Sequence, residues 1–162
     1  MITLEGSCHC GAVCFSVKSH TPQPYMHCYC SICRKTAGGG GLAINIMAQA
    51  KTLKVTGKQH IAYYRARIEE DGKPIHSPAR RHFCKRCGSA LYVSDPRWPN
   101  WLYPHASAID TPLPKPGEIH HIMLDSKAAW VDVPRGRKHR RFRDYPDQSI
   151  ADWHKTRGLY VK

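Results

Sequence analysis

Cysteine spacing constrains this chain more than any other feature of its sequence. Seven of the eight cysteines lie in three short clusters. The first cluster holds Cys8 and Cys10, the middle cluster holds Cys28, Cys30 and Cys33, and the third cluster holds Cys84 and Cys87. These C-x-C and C-x-x-C steps are typical of metal ligands. Thiolates are soft ligands, so zinc is the expected metal, although the residues alone also allow iron bound by sulfur.

A secreted disulfide scaffold explains the clusters less well than metal binding does. Residues 1–8 show neither the basic start nor the apolar stretch of an export signal. Two cysteines in a C-x-C step also bridge poorly, because a disulfide requires particular Cα separations and torsions. We therefore expect reduced thiols in a reducing compartment, most simply the cytoplasm.

Length and charge predict one basic domain. The chain has 162 residues, 41% of them hydrophobic, and no apolar run that could cross a bilayer, so no membrane partner is expected. The formal charge of +13 would become +10 with seven bound thiolates and two zinc ions. Such a surface attracts anions, whether nucleic acid, phospholipid or a small acidic metabolite. The sequence assigns no oligomeric state.

Short alternating segments predict a mainly antiparallel β domain. Val13, Phe15 and Val17 share one face of a strand. Further strand patterns occupy residues 42–46, 52–55, 61–64, 90–93 and 119–124. Glycine and proline separate these segments and indicate turns.

Helix signals are few and lie in two places. One or two turns are expected after Cys30, and a C-terminal helix is expected from Ile150, docked by Trp153. We expect residues 1–133 to form a zinc-binding domain and residues 134–162 to form a basic tail with this helix, as part of the same unit. The basic run at residues 135–143 is interpreted first as solvated, with a nucleic-acid contact as the alternative.

Spacing alone leaves the partition of the seven thiolates open. The first and third clusters could share one ion, which would join an early strand to a late hairpin. The middle cluster could then close around a second ion with three sulfurs, and a three-ligand zinc keeps one position open for chemistry. Alternatively, the first two cysteines of the middle cluster could pair with the third cluster, leaving Cys33 with the first cluster.

The segments around the clusters resemble a known family. GSCHCGAV at residues 6–13, HCYCSICRK at 27–35 and HFCKRCG at 82–88 strongly resemble the glutathione-dependent formaldehyde-activating enzymes, a family that also includes centromere protein V. Further matches are HI at 121–122, SKAAW at 126–130 and SIADWH at 149–154. The signature is specific for the family and weak for the substrate of any one member.

This resemblance implies a β-tent fold with two zinc ions per chain. It identifies Cys8, Cys10, Cys84 and Cys87 with structural zinc ligands, and Cys28, Cys30 and Cys33 with catalytic zinc ligands. It also implies the family's activity, in which glutathione and formaldehyde combine to S-hydroxymethylglutathione, which a dehydrogenase then uses. The expected function is therefore that of a zinc-dependent carbon–sulfur lyase, with an acidic thiol and an aldehyde as partners.

Three residues beside the middle cluster are candidates for further roles. Arg34 and Lys35 are expected to hold the carboxylates of the thiol, and His27 is the nearest candidate for acid–base work, with His121 as a second. A family member with another thiol or aldehyde is an alternative. A non-catalytic, zinc-stabilised basic module that binds nucleic acid is the alternative from a different class.

Overall fold

The computed structural model describes residues 1–162, and short strands dominate it. Fourteen strands and two α-helices are present. The strands are β1 (Ile2–Ser7), β2 (Cys14–Ser19), β3 (Met26–Cys28), β4 (Ala43–Ile44), β5 (Ala48–Gln49), β6 (Lys54–Thr56), β7 (Ile61–Tyr64), β8 (Arg67–Glu70), β9 (Lys73–His76), β10 (Arg80–Cys84), β11 (Ala90–Ser94), β12 (Trp101–Pro104), β13 (Ile119–Ile122) and β14 (His139–Arg141). The helices are α1 (Ser31–Ala37) and α2 (Ile150–Thr156). The predicted mainly β fold with a short C-terminal helix is confirmed. None of the helices has the length and apolar composition needed to cross a lipid bilayer.

Four sheets organise these strands. A three-stranded sheet has the order β1-β2-β6, a five-stranded sheet β5-β12-β11-β10-β7, a four-stranded sheet β14-β13-β3-β4, and β8 pairs with β9. Pairing is antiparallel as predicted, except that β13 runs parallel to both β3 and β14. Parallel neighbours need a long crossover connection, and the chain between β3 and β13 supplies one.

Two hydrophobic cores lie beneath these sheets, and each contains cysteines from different sequence clusters. The larger core joins the three-stranded and five-stranded sheets and includes Cys8 and Cys84. The smaller core includes Cys28, Cys33 and Trp153. The first and third clusters therefore border one core, and the middle cluster borders the other.

Helix α2 docks on the smaller core through an aromatic stack. The Trp153 ring stacks on the Tyr25 ring with centroids 3.6 Å apart, and Trp153 is 1% exposed. The side chain of Ser149 caps the helix by accepting a hydrogen bond from the Asp152 backbone N–H. This agrees with the predicted docking role of Trp153.

The basic run at residues 135–143 is largely exposed to solvent, as expected, but it also contains a strand that the sequence did not predict. Its centre forms β14, which pairs with β13. The Arg140 side chain forms an ion pair with Glu118 at 3.3 Å, and Arg143 forms one with Asp125 at 3.0 Å. The sequence pattern hides this strand because its one partner, β13, is separated from it by residues 123–138 and because its side chains are charged.

Candidate metal centres

Four sulfurs meet between the three-stranded and the five-stranded sheet. Cys8 and Cys10 follow β1, Cys84 ends β10, and Cys87 lies in the next turn, with all four Sγ atoms within 4.8 Å of one another. The Cys8 and Cys10 sulfurs are 3.6 Å apart, and those of Cys10 and Cys84 are 3.9 Å apart. A tetrahedral zinc with bonds of about 2.3 Å separates its sulfurs by about 3.8 Å. This four-sulfur site therefore fits a zinc ion.

Tight turns hold the two arms of the four-sulfur site. The Gly11 N–H donates to the Cys8 carbonyl at 3.0 Å, and the Gly88 N–H donates to the Cys84 carbonyl at 2.8 Å. Both glycines have positive φ, 72° and 76°, a conformation that other residues rarely adopt. The Val13 N–H also donates to the Cys8 sulfur at 3.2 Å. Such donors favour the thiolate form that a metal needs.

The three cysteines of the middle cluster form a second possible metal site. Its three Sγ atoms also lie within 4.8 Å of one another. Cys28 ends β3, Cys30 is the N-cap of α1, and Cys33 lies in the first turn of that helix. The Cys33 N–H donates to the Cys30 sulfur at 3.2 Å. Hydrogen bonds from the Cys28 and Cys33 thiols and from this N–H outweigh burial and lower the pKa of the Cys30 thiol.

No fourth ligand-forming side chain joins this three-sulfur site. The group contains only Cys28, Cys30 and Cys33 among cysteine, histidine and carboxylate side chains. Cys28 and Cys33 are buried, whereas Cys30 is partly exposed. Three thiolates fit a zinc ion that keeps one position for a non-protein ligand. The structure thus brings the seven cysteines together in a four-plus-three partition, and Cys14 lies outside both sites as an exposed thiol.

Arg34 and Lys35 lie on α1, directly after the last cysteine of the three-sulfur site. Both line a cleft of about 440 Å³, which is also bordered by residues 36–39, the turn at 88–90 and Ser107. The Nε of Arg34 is buried and has no hydrogen-bond partner. The cleft is therefore a polar, basic space between the helix of one site and the turn of the other.

His27 lies away from the sulfurs. Neighbouring residues on a strand face opposite sides, so His27 and Cys28 point apart on β3. The His27 ring packs edge-on against the His121 ring with centroids 5.5 Å apart. Burial, helped by the nearby charge of His139, lowers the pKa of His27. His121 in turn hydrogen-bonds to the Tyr29 hydroxyl and to His139, each at 2.9 Å. The acid–base role of His27 stays a prediction.

Two residues near the three-sulfur site were not found from the sequence. The Nη1 of Arg81, on β10, lies 3.7 Å from the Cys33 sulfur. Tyr145 is 68% exposed overall but lies close to the three thiolates, and desolvation of its hydroxyl group, together with their negative charge, raises its pKa. Both residues are far from the middle cluster in sequence, and no local motif marks either of them.

Two sequence comparisons with known proteins agree on one family, and a structural comparison supports the fold. The sequence profile described as "Glutathione-dependent formaldehyde-activating enzyme" matches residues 3–124. A Halomonas elongata protein named "Putative glutathione-dependent formaldehyde-activating enzyme" is 56% identical over 156 residues, which cover 96% of this chain and 97% of that protein. A crystal structure of a Rhodobacter sphaeroides protein is similar in fold, with a TM-score of 0.54 at 24% identity, over 72% of this chain and 98% of that chain.

Proposed function

The chain belongs to the glutathione-dependent formaldehyde-activating enzyme family, and from this premise we propose that it forms or cleaves a thiol–aldehyde adduct at the three-sulfur site. In the forming direction the thiol sulfur bonds to the aldehyde carbon, the carbonyl π bond breaks, and the thiol proton ends on the new hydroxyl oxygen. The reverse step is a carbon–sulfur lyase reaction. Glutathione and formaldehyde are the proposed pair, because the family and the Halomonas relative are named for them.

The observation that carries this proposal is the difference between the two cysteine groups. A zinc ion held by Cys28, Cys30 and Cys33 would supply an open coordination position and stabilise an external thiol as its thiolate. The four-sulfur site offers a complete ligand set, so we assign it a structural zinc. The partly exposed Cys30 marks the side from which a substrate reaches the three-sulfur site.

Arg34 and Lys35 are proposed to bind the substrate rather than to react with it. Glutathione carries two carboxylates, and guanidinium and ammonium groups bind carboxylates through charge-assisted hydrogen bonds. Both side chains line the cleft of about 440 Å³ beside the three-sulfur site. None of the three cysteines lines the cleft, but Cys33 directly precedes Arg34 on α1, so the proposal requires the thiol arm of glutathione to reach from the cleft to the start of this helix. Anchoring the carboxylates would then reduce the entropy cost of bringing the thiol to the aldehyde.

A Cys30→Ser variant tests the proposal. We expect it to lose one of two bound zinc ions, glutathione binding and turnover while it remains folded, since Cys30 belongs only to the three-sulfur site. Cys14→Ser is the matched control, because it removes a thiol outside both groups. Metal analysis, calorimetric titration of glutathione and an adduct-formation assay give the three readouts. Wild-type protein that carries both ions yet binds no thiol would contradict the proposal.

Binding of nucleic acid is the second candidate, and it depends on the formal charge of +13. Neutralising the exposed basic side chains of residues 135–143 would then abolish a strongly salt-dependent affinity for nucleic acid. Arg140 and Arg143 already form ion pairs with Glu118 and Asp125, which neutralise part of this positive charge. The lyase proposal is therefore the better supported of the two.

A further inference from the structure

Arg81 is the one basic side chain that contacts a thiol in either cysteine group. It lies on β10, three residues before Cys84, yet its guanidinium reaches the other site, with Nη1 3.7 Å from the Cys33 sulfur. It takes part in none of the ion pairs of the structure. The charge of this half-buried guanidinium therefore faces the three-sulfur site without a competing carboxylate.

The charge balance of the three-sulfur site explains why such a cation matters. Three thiolates and one divalent ion carry a net charge of −1, and an external thiolate makes it −2. Cys28 and Cys33 are only 5% and 4% exposed, so water solvates little of this charge, and unpaired charge in a low-dielectric site is costly. The four-sulfur site reaches the same −2, but its Cys10 and Cys87 are exposed to solvent.

Resting on the proposed function, we infer that Arg81 is a positioning residue that makes the three-sulfur site selective for an anionic fourth ligand. Its guanidinium is a cation and offsets the added negative charge. By donating toward Cys33 it also holds that sulfur in its place. An anionic ligand such as a thiolate gains from Arg81, whereas a neutral ligand does not.

Cobalt-substituted protein tests this inference without an activity assay. Visible absorption follows titration with glutathione, with thiocyanate as a second anion and with imidazole as a neutral ligand, while cobalt in the four-sulfur site gives a constant background. In Arg81→Gln the affinities for glutathione and thiocyanate should fall by about 10- to 100-fold, the size expected when the attraction between two unit charges is lost in a partly buried site with an effective dielectric constant of about 20. Imidazole affinity should change less than about twofold, since no charge interaction is lost. Arg81→Lys should restore part of the anion affinity.

Arg80→Gln is the matched control, because the exposed Arg80 lies over the Tyr63 ring and contacts no cysteine. It should leave all three affinities unchanged. Equal weakening of imidazole and the anions in Arg81→Gln would indicate general damage to the site and overturn the inference, as would unchanged anion affinity. A wild type whose thiocyanate affinity depends on Arg81 but which ignores glutathione would overturn the proposed function and leave the inference standing. A wild type that binds none of the three ligands would overturn both.

Discussion

Removing the C-x-x-C pair of the third cluster should destabilise the protein far more than removing the same pair of the middle cluster. The two double variants are Cys84→Ser/Cys87→Ser and Cys30→Ser/Cys33→Ser. They are matched, because each replaces one fully buried thiol, Cys84 at 0% or Cys33 at 4% exposure, and one more accessible thiol. The difference between them should therefore report the metal connection and not the packing of sulfur.

The expected size of that difference follows from loop closure. Both sites contain a C-x-C and a C-x-x-C step, but the four-sulfur site also joins Cys10 to Cys84, which are 74 positions apart. Closing a loop of that length costs the unfolded chain about 4.5 kcal/mol at 25 °C, using the relation for cross-links. In the native state the sheets already hold Cys10 and Cys84 close together, so this entropy cost applies to the unfolded chain only. The two variants should then differ by about 4.5 kcal/mol, or about 9–18 °C in Tm for a chain of this size.

Scanning calorimetry in reducing buffer measures this difference in zinc-loaded and chelator-treated samples. After chelation the gap between the variants should nearly vanish, because neither then gains from closing the long loop. Chelated wild type should lie close to chelated Cys84→Ser/Cys87→Ser. Equal Tm losses for the two zinc-loaded variants, or a gap that survives chelation, would refute the loop-closure reasoning.

Three further predictions concern binding, proton transfer and pH. Replacing Arg34 or Lys35 by Gln should raise the KM for glutathione by about tenfold with a smaller change in kcat, because both side chains are proposed to bind carboxylates away from the reacting atoms. Steady-state kinetics measure KM and kcat, and a loss confined to kcat would contradict the assignment. If His27 moves the proton, His27→Gln should lower kcat by about 10²- to 10⁴-fold with zinc content unchanged, and a rate near that of wild type would remove it from the mechanism. Burial opposes the ionisation of Glu118, but hydrogen bonds from His120 and Trp153 and the charge of Arg157 prevail and lower its pKa from 4.5 to about 2. A depressed carboxyl pKa stabilises the fold above the unfolded value, so the unfolding free-energy gap between wild type and Glu118→Gln should shrink as the pH falls from 4.5 to 2, and a pH-independent gap would contradict this.

Much of the candidate site could be predicted because its information is local. The C-x-C and C-x-x-C steps set which sulfurs can meet, and the strand patterns at 61–64 and 90–93 match β7 and β11 closely. The helix after Cys30 also follows from local signals. What the spacing could not decide was which clusters share an ion, because that depends on sheet packing between residues far apart in the chain.

The remaining parts required the tertiary structure. The parallel pairing of β13 with β3 and the strand within the basic run depend on partners distant in sequence. Arg81 carries no motif, and only the pairing of β10 in its sheet brings its guanidinium to Cys33. The orientation of His27 was within reach of the sequence, because a residue next to a ligand on an extended strand faces the opposite side.

Strand β10 connects the two sites physically. It carries Cys84, which the four-sulfur site fixes at one end, and Arg81, which faces Cys33 near the other end. Between them, Phe83 pairs with Ala62 on one side and with Ala90 on the other, so the strand is held in the interior of its sheet. The β10–β11 register shifts between His82 and Phe83, but β7 pairs with β10 without a break from Arg81 to Cys84. Because the strand is packed on both sides, we expect a displacement of Cys84 in the four-sulfur site to alter the position of Arg81, the cation on which, by our inference, anion selectivity at the three-sulfur site depends.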